Sequence, residues 1–124
     1  MRKNVFILCC LGMVILLNHS AFSQKITIEK SYPEAFLRAY DNYVNKNYAA
    51  SFEQFSALVE QTPQDREELL QDIMFYRASS AYEMMNKDAD ALLCEFISLC
   101  PQSAHCNEAY FLLANFYARG ERYE

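Results

Sequence analysis

The sequence predicts an all-α fold made of antiparallel helical hairpins, and three observations carry that reading. Turn formers are scarce, with two glycines and three prolines in 124 residues, whereas an all-β chain needs a turn every ~8–12 residues. Apolar and aromatic residues recur at helical spacing in several separate runs. Short polar breaks such as Asn45-Lys46-Asn47 and Asn86-Lys87-Asp88 part those runs in pairs.

The first stretch reads as a leader rather than as part of the fold. Arg2 and Lys3 precede an apolar block of 13 residues over 5–17, and Ala21 and Ser23 flank Phe22 beyond it. A positive start, a short apolar core and a small-x-small site are the layout of a secretory signal peptide. We place it at 1–23. The block is too short for the roughly 20 residues that span a bilayer. Cys9 and Cys10 lie inside the block and no cysteine stands near Ser23, which favours soluble export over lipidation.

Removing residues 1–23 takes away two positive charges and moves the net charge from -5 to -7. Such an acidic chain argues against a nucleic-acid partner, since phosphates demand a basic face. Residues 24–31 form a linker with a brief alternating run, Ile26-Thr27-Ile28.

The helices follow in order. Pro33 suits a first helical turn, and Phe36, Leu37, Tyr40, Tyr43 and Val44 mark the first stripe. A second stripe runs Tyr48, Phe52, Phe55, Leu58 and Val59 and stops at Thr62-Pro63. Asp65 with Glu68 three residues later predicts a capping-box start for a third helix carrying Leu69, Leu70, Ile73, Met74, Tyr76, Arg77, Ala81, Tyr82 and Met85. Ala89, Leu92, Leu93, Phe96, Ile97 and Leu99 form the return helix, closed by Cys100-Pro101. A fifth helix is predicted over residues 104–119, with Ala109, Tyr110, Leu112, Leu113, Phe116 and Tyr117.

Groups that carry chemistry are few. Cys94, Cys100, His105 and Cys106 fall within 13 residues, but their spacing is not that of a zinc finger, whose ligands come in pairs two to four apart. Cys100 and Cys106 can be free thiols or a disulfide, which export would permit. With His19 in the leader, His105 is the one histidine beyond it, and no nucleophile context surrounds it. Glu67-Glu68 and Asp88 with Asp90 sit where helix starts and turns favour acids. One glycine beyond the leader leaves no phosphate loop. The chain is therefore expected not to be an enzyme, and to need no cofactor, metal or small-molecule substrate.

Three sets of residues carry a family resemblance. The first is Ala39, Tyr43, Lys46-Asn47-Tyr48, Ser51, Phe55, Leu58 and Pro63; the second is Ala81-Tyr82, Ala91 and Pro101. The third is Ala109-Tyr110, Leu113-Ala114 and Tyr117, followed by Arg119-Gly120-Glu121-Arg122-Tyr123-Glu124. Together they resemble the tetratricopeptide repeat (TPR) family of bacterial cell-envelope type over residues 32–124, as about two and a half units. The departures are Asp88, where the family has an aromatic residue, and Pro101, which comes two residues early.

The resemblance implies a right-handed solenoid in which small residues such as Ala39, Ser79 or Ser80 and Ala114 let paired helices approach. Tyr48, Phe55 and Phe96 would fill the space between hairpins. It further implies a concave groove lined by Phe36, Tyr40, Tyr43, Tyr76, Glu83, Phe111, Asn115 and Arg119. Tyrosine and arginine are enriched at binding hot spots. The expected role is a protein-protein interaction scaffold in the periplasm or at the outer-membrane periphery, holding a protein or peptide and meeting membranes only through partners. The alternatives are a structural spacer within a larger envelope protein, or an outer-membrane assembly factor. Because the third unit has one helix and the beginning of another, the chain is expected to be the N-terminal part of a longer protein.

Overall fold

The computed structural model describes residues 31–120. The expected signal peptide, all of the linker but Ser31, and residues 121–124 lie outside the described residues.

Five helices make up the described part: α1 Glu34–Val44, α2 Tyr48–Gln61, α3 Glu67–Glu83, α4 Ala89–Leu99 and α5 Cys106–Gly120. The described residues hold no strand, so the protein is all-α there. Each helix packs against the next one in sequence. In addition α1 reaches α3 and α3 reaches α5, while among the described residues the backbones of α2 and α4 stay apart.

Helix α3 meets all four others, and its composition fits that position. Asp72, Ile73, Met74, Phe75 and the run Ala78-Ser79-Ser80-Ala81-Tyr82 are all buried, so it has no single wet face. A helix covered on every side belongs at the centre of a protein. It is the wall shared by two clusters. Phe36, Ala39, Phe55 and Ile73 form one between α1, α2 and α3. Phe75, Ala78, Leu93, Phe96, Ala109 and Leu112 belong to the other, between α3, α4 and α5. Phe55 and Phe96 are fully buried, each worth roughly 1.5–3 kcal/mol relative to exposure.

The two hairpin turns repeat bond for bond. Asn45, Lys46 and Asn47 donate their amides to the carbonyls of Asp41, Tyr43 and Asn42; Met84, Met85 and Asn86 donate to those of Ser80, Tyr82 and Ala81. Every partner is shifted by 39 residues, as Lys46 to Met85 shows (85 − 46). Lys46 at φ 62° and Met85 at φ 57° occupy the left-handed position. This is the Schellman closure that usually employs glycine.

Several expectations about local structure need correction. Arg66, not Asp65, caps α3, and no side chain bonds there. The turn from Pro63 to Arg66, closed by the Arg66 amide on the Pro63 carbonyl, places Asp65 one residue too early. Pro33 precedes α1 rather than opening it. α5 starts at Cys106 rather than near 104 because a turn comes first, with the Ser103 amide on the Cys100 carbonyl and the Cys106 amide on that of Ser103. Met85, read as apolar face, is 68% exposed in the turn. Ala114 is exposed, while Ala109 is the small residue packed in the core.

Candidate functional site

The helical repeat sets two stripes facing each other. On α1 and the segment before it lie Tyr32, Phe36, Tyr40 and Tyr43; on α3 lie Asp72, Tyr76, Ser79 and Glu83. Steps of three and four residues bring each set onto one side of its helix. The rings interlock across the two elements. Tyr76 meets Tyr40 edge-on at 5.0 Å between centroids and Tyr43 at 5.2 Å. Tyr43 in turn touches Tyr48 of α2 at 5.7 Å. Edge-on pairs of this kind set the positive rim of one ring against the negative face of another.

The hydroxyls of this face are held as well. Tyr43 Oη and Ser79 Oγ are 2.8 Å apart. Burial raises the Tyr43 pKa above its ordinary 10.0; the Ser79 bond opposes that, and the carboxylates of Glu83 and Glu108 add to it. Burial also raises Tyr76, with Tyr40 next in effect and Asp72 behind it. Both phenols therefore stay protonated at neutral pH.

At one end of the face, Asp72 joins three elements. Tyr32 Oη donates to its Oδ2 at 2.7 Å, and His105 Nε2 lies 3.2 Å from its Oδ1. A carboxylate only accepts, so that imidazole nitrogen carries the proton. The imidazole stacks flat on Phe75, with centroids 4.2 Å apart.

The eight residues expected to line a groove are thus placed unequally. Tyr40, Tyr43 and Tyr76 come together, with Glu83 acting on Tyr43 from α3. Phe36 is a correction: it is 3% exposed, held in the core by Tyr32 at 4.3 Å and Phe55 at 5.4 Å, so it supports the face from beneath. Arg119 turns toward Tyr82, its guanidinium 4.8 Å from that ring, and borders a depression of about 180 Å³ with Met85 and Phe116. Phe111 is 66% exposed on α5 and Asn115 is half-buried.

Asp72 and Tyr48 belong to the site without having been expected there. The signal for Asp72 was available, since it stands four residues before Tyr76 on a helix.

The cysteines sit apart from this face. Cys94 is exposed; Cys100 and Cys106 are buried, and all three are free thiols. Cys106 Sγ donates to the Cys100 carbonyl at 2.9 Å. Burial pushes the Cys100 thiol pKa up, which makes it a poor nucleophile. Among the described residues no three of His, Cys, Asp and Glu gather as metal ligands. None of the described helices is long and apolar enough to cross a membrane.

No family model, no curated protein and no solved structure matches the chain.

Proposed function

We propose that this protein is an exported scaffold of TPR-like helical hairpins that holds a protein or peptide segment against the face formed by Tyr40, Tyr43 and Tyr76. That cluster carries the reading. Its three rings are fixed by one another, two are half-buried, and Tyr40 is 37% exposed. Rigid aromatic surface of that kind gives contact area at little entropic cost.

The repeat reading draws support from the duplicated turn and from the contact order. If α1, α3 and α5 touch in a row while α2 and α4 stay apart, the odd-numbered row is the crowded, inner one. Stacking the hairpins with a right-handed turn would set the tyrosines on a concave side, as the family resemblance implies. Export rests on the composition of residues 1–23, and sequencing the N-terminus of the secreted chain should start at Gln24.

The binding claim is tested by selecting short random peptides on the purified protein. Peptides should be enriched that lose affinity for Tyr40→Ala yet bind Leu99→Ala normally, since Leu99 is exposed on α4. Enrichment indifferent to Tyr40, or no enrichment at all, would remove the proposal.

A further inference from the structure

Helix α5 has two apolar sides, and the protein's own core uses one of them. Cys106, Ala109 and Leu112 are buried in the cluster shared with α3 and α4. On the far side Phe111, Ala114 and Ala118 follow at steps of three and four residues, so they lie in one line. Tyr110 and Tyr117 form one shoulder of that line. Phe111 is 66% exposed, Tyr110 57% and Tyr117 50%, and Asp90 holds the Tyr117 hydroxyl at 3.3 Å. No charged residue falls between Glu108 and Arg119. At the other end of the row α1 differs, since it exposes Glu34, Arg38 and Asp41. A helix that is apolar on nearly every side is one that ends up covered.

The order of residues along α5 says what fits over it. A second α5 can be laid antiparallel to the first, with the two-fold axis between Leu113 and Ala114. Residues equally far from that point then meet, so Tyr110 of one copy faces Tyr117 of the other. The large Phe111 falls on the small Ala114, where there is room for a ring. Glu108 and Arg119, about three helical turns apart, share the second shoulder and face each other at both ends of the contact. Among the described residues Arg119 pairs with no carboxylate. Its guanidinium lies 4.8 Å from the centre of the Tyr82 ring, and a guanidinium stacked on a ring keeps its in-plane N–H groups for a carboxylate. Large against small and acid against base, about one midpoint, is what a copy of the same helix supplies. The three aromatic side chains expose roughly 350 Å² in each copy, which puts the contact at the small end of specific interfaces.

We infer that α5 is a self-association face, through which two copies of this chain pair with their α5 helices antiparallel. Phe111 on Ala114 forms the centre, and Glu108 against Arg119 sets the register. The inference goes beyond the partner-binding reading and does not depend on it.

Sedimentation equilibrium of the purified protein from about 1 to about 300 µM tests it. A monomer–dimer equilibrium is expected, with a dissociation constant of about 10–100 µM for a contact of this size. Phe111→Asp and Ala114→Arg, both at exposed positions, should keep their circular dichroism and stay monomeric throughout. Reversing one charge, as Glu108→Arg or Arg119→Glu, should weaken the dimer roughly fivefold, and the double reversal should restore it. A protein that is monomeric at every concentration overturns the inference and assigns the face to a different occupant. A dimer indifferent to Phe111→Asp and Ala114→Arg, or one that the double reversal fails to restore, overturns it as well. Peptide binding through Tyr40 stands or falls separately, since no α5 variant is needed to read it.

Discussion

The imidazole of His105, at the threshold of α5, lies 3.2 Å from the carboxylate of Asp72 in the middle of α3. Its other carboxylate oxygen accepts from Tyr32, ahead of α1. One buried acid thus ties the segments that lead into α1 and α5 to the middle of α3.

Removing that acid should loosen all three elements together. Asp72→Ala leaves the Tyr32 hydroxyl and the imidazole without this acceptor, and hydrogen bonds to a charged group contribute about 1.5–3 kcal/mol each. Urea denaturation should show a loss of at least about 2 kcal/mol, while Asp72→Asn keeps one acceptor oxygen and loses less. Equal losses in the two variants would show that the carboxylate's volume matters rather than its bonds.

A second prediction concerns the small hydroxyls where α1, α2 and α3 meet. Ser80 Oγ donates to Ser51 Oγ, which donates to the Ala39 carbonyl, each at 3.1 Å, in a fully buried site. Ser51→Ala should cost about 1–2 kcal/mol in thermal or urea unfolding by leaving those groups unpaired. Ser51→Leu should cost more, since extra volume in a packed core forces the helices apart.

The repeated turns offer a gain instead of a loss. Met85 occupies a left-handed backbone position and its side chain is 68% exposed, so Met85→Gly removes strain and little packing. A non-glycine residue there costs about 1–2 kcal/mol, partly offset by the entropy glycine loses on folding. Net stabilisation of about 0.5–1 kcal/mol is expected from chemical denaturation. Destabilisation would mean that the Met85 side chain packs more than its exposure indicates.

The phenols predict how the fold responds to alkali. Tyr76 and Tyr43 both have pKa values raised above 10.0 by burial. Above pH 10 the unfolded chain releases these protons first, so it binds fewer than the native state and stability falls as pH rises. The contribution is complete below pH 10. Tyr76→Phe should make the alkaline decline in melting temperature shallower, and an unchanged decline would point to other groups.

Much of the fold was legible before the structure. The period of apolar residues located five helices, and the polar breaks located both hairpin turns. Capping was not legible, because a backbone turn from Pro63 to Arg66 takes the place that Asp65 suggested. The site was legible in part. Tyr40, Tyr43 and Tyr76 follow from helical spacing, yet spacing cannot say which member of a stripe lies deepest. Phe36 sits on the same side as Tyr40 and is buried only because Phe55 and Tyr32 close over it. Asp72 and His105 are separated by 33 residues (105 − 72), and only the packing of α5 on α3 brings them together.

The proposed seat of the partner is the tyrosine face on α1 and α3. Titrating an isotope-labelled sample with a selected peptide and following backbone amide shifts tests this most directly. The largest shifts should fall on Tyr40, Tyr43, Tyr76 and Glu83, with α4 from Ala89 to Leu99 nearly silent. Shifts concentrated on α2 or α4 instead, with those four residues unmoved, would contradict it.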